Sequence, residues 1–504
     1  MKFHILIFGC QMNYSDSARI KAILLNCWFF YTENITQADI VIFDTCSVKQ
    51  KAEDKITGKL KEIWKHQKVW ITWCMIQHNL RNSKINKDPK IIWQQARFKI
   101  WNFMWSLKTQ NPQIIWLTTD EINNWNIKSQ NWSVVGINHA FNPIFHNLTQ
   151  KRTNIELFFR IDDVWFLPLI LPKFWYKIKY DSEIINEYEK IIPNWINTSM
   201  NNTHKITAYI PVSTWCSQFC AYCIVPYARW LEKNFSIQQI VDEAKLHIKN
   251  WAKEIVLIGQ IVNKHPDFIQ IIKEILKIKW LERLRYTSPY PTFYSSELLQ
   301  LHEKEPKLCP HIHMPLQSGS DDILKKMFRW YTSSQFKQFV DNIRKLSRSI
   351  SITTDVIVWF PWETEDDFNQ TLDIVKYSKF DMIYMWIYST RPWTIAEKKY
   401  PDNIPYKVKH DRWTKLNNLL KKISLKNNQK EIWSIKKVLI NEINNWNIIW
   451  YTDNMKQIII SKATKNTKIW NIVKVKITDS KPFKLYWEIP TVIPAPRTKS
   501  ATVI

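Results

Sequence analysis

Cys216-Ser-Gln-Phe-Cys220-Ala-Tyr-Cys223 is the stretch on which the reading of this 504-residue chain turns. Three thiolates spaced CxxxCxxC on one short loop can each take one iron of a [4Fe–4S] cluster and leave the fourth iron open to a ligand. Iron–sulfur clusters usually take four cysteines, so a three-cysteine loop suits a cluster that does chemistry better than one that only carries electrons. The alternatives are a tetrahedral zinc site or chance. Zinc knuckles favour CxxC pairs with a fourth ligand nearby, and no second pair follows here.

Working outward, strand and helix patterns alternate from residue 205 onward. Ala208-Tyr-Ile-Pro leads into the cysteine loop, and Ser236 is placed to cap an amphipathic helix carrying Val241, Ala244 and Ile248. Further strand patterns are Glu254-Ile-Val-Leu-Ile, Arg283-Leu-Arg-Tyr, His311-Ile-His313, Ser351-Ile-Thr-Thr-Asp355-Val-Ile-Val358 and Met382-Ile-Tyr-Met. About six β–α units predict an open, partial (β/α)6 barrel with its working residues at the carboxyl ends of the strands. His311 and His313 share one face of a strand; packing accounts for them better than metal ligation, because cysteines already supply the iron sites.

The N-terminal region has the same alternation. Phe3-His-Ile-Leu-Ile-Phe, Val41-Ile-Phe43 and Val69-Trp-Ile-Thr-Trp73 read as strands, with helical patterns over 16–25 and 52–65. Such a sheet is parallel and collects ligands at its carboxyl edge. Cys10, Cys46 and Cys74 each fall just after one of these strands. Each alone fits a small core residue; the repeated placement predicts a second three-cysteine cluster. Cys27 and Cys309 match neither set and read as ordinary thiols.

Cys216 to Cys223, followed by Ile-Val-Pro226-Tyr-Ala-Arg229, resembles the radical S-adenosylmethionine (SAM) enzymes, in their methylthiotransferase branch. Gly9-Cys10-Gln-Met-Asn13 with Asp16-Ser17 is similar to the members acting on isopentenylated tRNA; the ribosomal-protein and threonylcarbamoyladenosine branches carry other residues after the cysteine. The resemblance covers 1–80 and 205–490. It implies two [4Fe–4S] clusters, one on Cys10, Cys46 and Cys74 that carries or supplies sulfur, and a catalytic one on Cys216, Cys220 and Cys223 that chelates and splits SAM. It further implies a SAM pocket lined by Tyr222, Gln317, Ser318 and Asp355. Arg229 and Glu232 match the family's Arg-Gly-x-Glu element; a surface ion pair is the other reading of those two. The implied reaction is methylthiolation at C2 of N6-isopentenyladenosine 37 in the anticodon stem-loop of tRNA, with flavodoxin or ferredoxin as electron donor and the chain acting as a monomer. The alternatives are the same chemistry on threonylcarbamoyladenosine 37 or on a ribosomal protein, or a non-catalytic RNA-binding iron–sulfur protein.

The expected division is an N-terminal α/β domain over 1–175 with an insertion at about 85–155, a linker over 176–204, the radical SAM domain over 205–430, a small β-barrel over 431–490 and a tail over 491–504. The barrel is read from short strand patterns at Lys437-Val-Leu-Ile, Ile458-Ile-Ile and Ile472-Val-Lys-Val-Lys-Ile, after a basic amphipathic helix over 414–430. It resembles the TRAM domain of the same enzymes, and its 12 Lys and Arg against 5 Asp and Glu over 431–504 suit RNA.

Bulk properties bound the rest. Hydrophobic residues make up 45% and charged residues 23%, which excludes a disordered chain. Eight cysteines over this length are too sparse for a disulfide scaffold and fit metal ligation in a reducing cytoplasm. No apolar run approaches a membrane span. The apolar stretch 166–171 reads as packing. A net charge of +26 attracts polyanions, although AT-rich coding would inflate Lys, Ile and Asn together.

The chain has 28 Trp and only 5 Gly, where average usage near 7% would give about 35 Gly. Tryptophans also stand where glycine has a physical task. Trp215 precedes the cysteine loop, Trp230 takes the glycine slot of Arg229-x-x-Glu232, Trp359 and Trp362 flank Phe-Pro, Trp393 follows Arg391-Pro392, and Trp251 falls at a helix C′ position. The expectation is that many are glycines, encoded by UGA in one of the bacterial codes that assign this codon to glycine.

Overall fold

The N-terminal apolar runs assemble one parallel sheet. Strands β1 (Lys2–Phe8), β2 (Phe30–Tyr31), β3 (Ile40–Thr45), β4 (Lys68–Trp73) and β5 (Ile155–Phe159) lie in the order β2-β1-β3-β4-β5. This is a computed structural model, and it describes residues 1–8, 11–45, 58–60, 62–64, 66–73, 155–159, 167, 171, 206–214, 216–228, 232–391, 394–402, 404–439, 448–460 and 472–488. Helix α1 (Gln11–Asn26) covers one face of the sheet, packing Ile20, Ile23 and Leu24 against Phe3, Ile5, Ile40, Ile42 and Trp70. On the other face Leu60 and Ile63 cover Val41, Phe43, Val69 and Ile71. Burial on both faces is why these strands read as unbroken apolar runs. Leu167 and Leu171, the described residues of the 166–171 stretch, are wholly buried in the first core. Strand β5 is an addition to the expected set. The helix expected over 52–65 falls largely outside the described residues, as do most of the 85–155 insertion, the 176–204 linker and the 491–504 tail.

The central region runs β6 (Thr207–Pro211), β7 (Ser213–Thr214), α2 (Val225–Ala228), β8 (Lys233–Asn234), α3 (Ile237–Lys249), β9 (Glu254–Ile258), α4 (Phe268–Leu276), β10 (Arg283–Tyr286), α5 (Ser296–Lys304), β11 (His311–His313), α6 (Asp321–Lys326), α7 (Ser333–Arg344), β12 (Ser351–Val358), α8 (Glu365–Ser378), β13 (Met382–Ile387), α9 (Ile395–Lys399) and α10 (Tyr406–Gln429). Six of these strands are parallel, in two sheets of three, β6-β9-β10 and β11-β12-β13. A single parallel bridge, Leu284 to Leu308, marks the seam between them. The helices lie outside: Ile255, Leu257 and Leu284 pack under α3 and α4, while Ile352, Val356 and Val358 pack under α7 and α8. Alternation then turns Val256, Ile258, Arg283, Arg285, His313, Thr353 and Asp355 inward. Ser236 caps α3 as expected, in a capping box with Gln239.

Strands β14 (Ile435–Leu439), β15 (Ile448–Thr452), β16 (Gln457–Ile460), β17 (Ile472–Lys481) and β18 (Lys484–Glu488) close a small barrel around Val438, Ile458, Val475, Ile477 and Leu485. Strand β15 was not expected, and α10 starts eight residues before the anticipated 414. The barrel is fastened to the central domain by two arginines of β10. Arg283 donates to the carbonyls of Lys437 (2.7 Å) and Tyr451 (3.3 Å), and Arg285 to those of Thr452 (2.8 Å) and Asp453 (2.7 Å). Arg285 also binds the buried Glu254 at 2.5 Å. Among the described residues no helix is long and apolar enough to cross a membrane.

Candidate cluster and cofactor site

The cysteine loop leaves β6 and is closed at its base by the antiparallel pair β7–β8, in which Ser213 meets Asn234 and Thr214 meets Lys233. Backbone bonds fix its middle: the Ala221 N–H donates to Met327 after α6 (2.9 Å), and the Ala221 carbonyl accepts from Ala396 on α9 (2.8 Å). Cys220 is buried, with Cys216 and Cys223 half-buried beside it. Burial pushes the Cys216 thiol up to about 11 and the Cys223 thiol higher still, each neighbouring cysteine adding to the effect. Loading with iron therefore has to displace protons. The donor set fits an iron–sulfur cluster, being sulfur only on a loop with no oxygen ligand in its motif. Among the described residues no three His, Cys, Asp or Glu side chains converge to hold one metal ion. A cluster asks for something else, since each thiolate meets its own iron.

Glu232 lies at the edge of this loop. It accepts from Lys264 Nζ at 2.6 Å and from the Ser217 hydroxyl, and Lys264 also donates to Ser217 at 2.9 Å. Burial works against its charge, but the bonds from Lys264 and Ser217 prevail and hold Glu232 below the usual carboxylate range. Its partner is thus Lys264 on the following loop, and the pair clamps the residue after Cys216. Arg229 lies outside the described residues. Tyr222 packs among Ala221, Ile323, Met327, Phe360 and Tyr388, and burial holds its phenol neutral, well above the ordinary value.

The loop after β11 folds back on β12: Gln317 N–H donates to the Asp355 carbonyl (2.8 Å) and its carbonyl accepts from Ile357 (2.9 Å). Ser318 is fully buried, its hydroxyl against Thr371 (3.4 Å) and the Ser320 N–H (3.2 Å). This side chain holds the loop on α8 rather than facing the lumen. A Cβ on Gly319 would stand 2.5 Å from Thr371 Cα, so that close approach requires glycine.

Asp355 ends a line of hydrogen bonds along the inner face. Thr353 Oγ1 lies 2.9 Å from both His311 Nε2 and His313 Nδ1, His313 Nε2 lies 3.0 Å from Asp355 Oδ2, and Trp386 Nε1 donates to Asp355 Oδ1 at 3.2 Å. Burial, then the positive charge of Arg285, pushes His311 well below its ordinary value and keeps it neutral. The Asp355 carboxylate can only accept, so His313 Nε2 donates to it, and the Thr353 hydroxyl bridges His313 Nδ1 to the neutral His311 ring. The two histidines and Thr353 thus orient the carboxylate. Tyr384 and Trp386 stand beside Asp355, 39% and 40% exposed, on the same inner face.

Cys10, Cys46 and Cys74 lie outside the described residues, but the strands leading to them are placed. β1, β3 and β4 are adjacent, parallel and level: Phe8 pairs with Thr45, and Thr45 with Trp73. Asp44, fully buried, accepts from Asn13 Nδ2 (2.8 Å) and Ser17 Oγ (2.6 Å), which ties α1 to the carboxyl end of β3. Asn13 and Ser17 belong to the motif around Cys10, and its one-turn spacing is what lets both reach one carboxylate. In the first turn of α1, Met12 packs on Val256 and Ile258 of the inner barrel face, and Tyr14 stacks on Tyr209. The start of α1, one residue past Cys10, therefore borders the lumen.

Comparison with known proteins agrees with this arrangement. Residues 210–375 match the Radical SAM superfamily and residues 2–93 the Uncharacterized protein family UPF0004. A tRNA-2-methylthio-N(6)-dimethylallyladenosine synthase from Dictyoglomus thermophilum is 30% identical over 97% of this chain and 98% of its own length. Proteins of the same name from Thermoanaerobacter sp. and Clostridium tetani are 29% and 30% identical over 97% and 96% of this chain and 93% and 96% of theirs. Among solved structures, a radical S-adenosylmethionine methyltransferase from Kitasatospora setae superposes with a TM-score of 0.44 at 9% identity, covering 78% of this chain and 76% of that one. With the cysteine loop at the mouth of a six-stranded half-barrel and a parallel N-terminal sheet bordering its lumen, this chain belongs to the radical SAM methylthiotransferases, in the family of the tRNA-2-methylthio-N(6)-dimethylallyladenosine synthases.

Proposed function

We propose that this chain converts N6-isopentenyladenosine 37 of tRNA to its 2-methylthio derivative. The packing of Met12 on Val256 and Ile258 carries the reading, because it brings the N-terminal domain against the lumen into which the 216–223 loop faces. An aromatic C2–H offers no acid–base handle, so its replacement by sulfur needs an electron source and a sulfur source at one place. When bound, the two [4Fe–4S] clusters and SAM supply the radical and the sulfur. Cys216, Cys220 and Cys223 hold one cluster, and Cys10, Cys46 and Cys74 the other. Tyr222, the Gln317 backbone and Asp355 line the SAM side. Tyr384 and Trp386 offer ring faces to a base splayed out of the anticodon loop. The electron comes from a flavodoxin- or ferredoxin-type donor, and the chain works as a cytoplasmic monomer.

The small barrel is read as the tRNA grip. Exposed Lys437 and Lys474 are direct cross-strand neighbours, as are Lys481 and Lys484. Like charges set opposite each other are unfavourable alone and become favourable over phosphates.

Nucleoside mass spectrometry tests the reading. A version coding glycine where tryptophan stands in glycine positions is expressed in cells lacking their own methylthiotransferase, and 2-methylthio-isopentenyladenosine is expected in their tRNA. Methylthio on threonylcarbamoyladenosine would move the chain to the sister branch. No methylthio-nucleoside from iron-loaded protein would overturn the tRNA reading.

A further inference from the structure

The structure assigns Arg329 a part in this site: we infer that it is a positioning residue whose buried guanidinium hydrogen-bonds the Cys220 sulfur and makes the cluster on this loop easier to reduce. The inference rests on the reading that Cys216, Cys220 and Cys223 hold a cluster. Arg329 is only 7% exposed. A buried cation requires an anion or a full set of acceptors, and no carboxylate among the described residues pairs with this one. Its partners are the Tyr331 hydroxyl (Nε, 3.2 Å), the Pro315 carbonyl (Nη2, 3.3 Å) and Cys220 Sγ (Nη1, 3.6 Å). The rings of Tyr290 and Tyr331 lie 4.3 and 5.2 Å from the guanidinium carbon. Among these partners the cysteine is the one that carries a negative charge when it ligates iron.

The aim of the side chain is fixed by the backbone. Helix α6 ends with Phe328 in the left-handed region (φ 59°), Phe328 N–H on the Lys325 carbonyl (3.1 Å) and Arg329 N–H on that of Leu324 (2.9 Å). This helix end also bonds Ala221 of the cysteine loop through Met327. Donated hydrogen bonds draw charge from a ligand sulfur and favour the electron-rich reduced cluster. The electron itself arrives from the external one-electron donor; Arg329 gives up no proton and takes no electron.

The experiment is a redox titration followed by electron paramagnetic resonance on the anaerobically reconstituted full chain. Cys10, Cys46 and Cys74 are replaced by Ala so that one cluster is read, and Arg329 is compared with Arg329→Lys and Arg329→Met. Arg329→Met is expected to shift the reduction equilibrium at least tenfold against reduction, about 59 mV for a one-electron couple, and Arg329→Lys by less, with iron content retained in Arg329→Lys. Equal potentials in all three would overturn the inference. Should Arg329→Met not hold iron, Arg329→Lys decides: an unchanged potential there overturns it, a lowered one supports it. Failure of the parent chain to bind a cluster would instead overturn the cluster reading.

A second inference stands on the backbone alone. We propose that Trp28, Trp251, Trp280, Trp359, Trp362 and Trp433 are glycines in the native protein. All six have φ between 59° and 74°, and among the described residues they make up six of the thirteen non-glycine residues with positive φ. Bulky residues rarely enter this region. Trp28 and Trp251 each occupy the C′ position of a Schellman motif. Trp28 N–H meets the Leu25 carbonyl and Phe29 N–H that of Leu24; Trp251 N–H meets Ile248 and Ala252 N–H meets His247. Five of the six indoles are at least 58% exposed, so little burial offsets the strain. Peptide mass spectrometry of the protein from its own cells, with the gene sequenced, tests this. Glycine at TGA codons is expected at all six. Tryptophan in the peptides spanning 251 and 359–362 would overturn it.

Discussion

Trp28 and Trp251 make the same turn at the ends of α1 and α3, and at each the residue is largely exposed, 64% and 67%. A residue with a Cβ in the left-handed region costs about 1–2 kcal/mol. Converting both to Gly in protein made with Trp there is therefore expected to raise stability by about 2–4 kcal/mol, read as a higher denaturant midpoint at unchanged slope. Composition made the anomaly visible, but only the dihedral angles say which tryptophans sit in glycine conformations. Cys27 and Cys309 are a second case decided by single residues. Burial pushes their thiols up to about 12 and about 11. Both are expected to resist alkylation at neutral pH in the folded chain and to react only after unfolding, as peptide mapping would reveal.

The elements around the site were legible wherever a run was apolar on both faces. β1, β3, β4, β9 and β12 all read from their composition. β15 and β5 did not, because they stand in Asn-rich surroundings that mimic linker. The partners of the cysteine loop were hidden for another reason. Lys264 lies 32 residues from Glu232, and Arg329 lies 109 from Cys220, so neither pairing leaves a local pattern. Asp44 was masked similarly, since its partners Asn13 and Ser17 read only as motif letters. The packing of α5 on β10 brings a pH dependence. His302 contacts Tyr286 Oη at 2.5 Å, and burial, then the charge of Arg348, holds it down at about 3 against an ordinary 6.5. The unfolded chain gains a proton between pH 6.5 and 3 that the folded chain does not. Stability therefore falls on acidification through this window, by up to about 1.4 kcal/mol per pH unit. His302→Phe is expected to flatten that part of the curve of denaturant midpoint against pH.

At the scale of the whole molecule, three bodies meet at the inner face of the central sheets: α1 on β6 and β9, the cysteine loop at the mouth, and the small barrel on β10. Arg285 is where the last joint concentrates its electrostatics. Removing it in Arg285→Ala leaves Glu254 buried beside a missing counter-charge, which costs roughly 3–5 kcal/mol, and faster proteolytic release of residues after 430 is the expected result. The proposed RNA face is separable from the joint. Lys437→Glu with Lys474→Glu is expected to weaken tRNA binding in filter assays and to flatten its dependence on salt by about one unit of slope per lost phosphate contact, with SAM cleavage in the absence of tRNA unchanged. The two arginines of β10 grip main-chain oxygens of the barrel, those of Lys437, Tyr451, Thr452 and Asp453, while Lys456 adds an ion pair to Asp381 at 3.2 Å. A carbonyl is the same whatever side chain it carries. The outward face of the barrel can therefore drift in sequence while the hold of β10 on it is inherited unchanged, and on the proposed role a lineage can alter which RNAs it handles without relearning where to hold them.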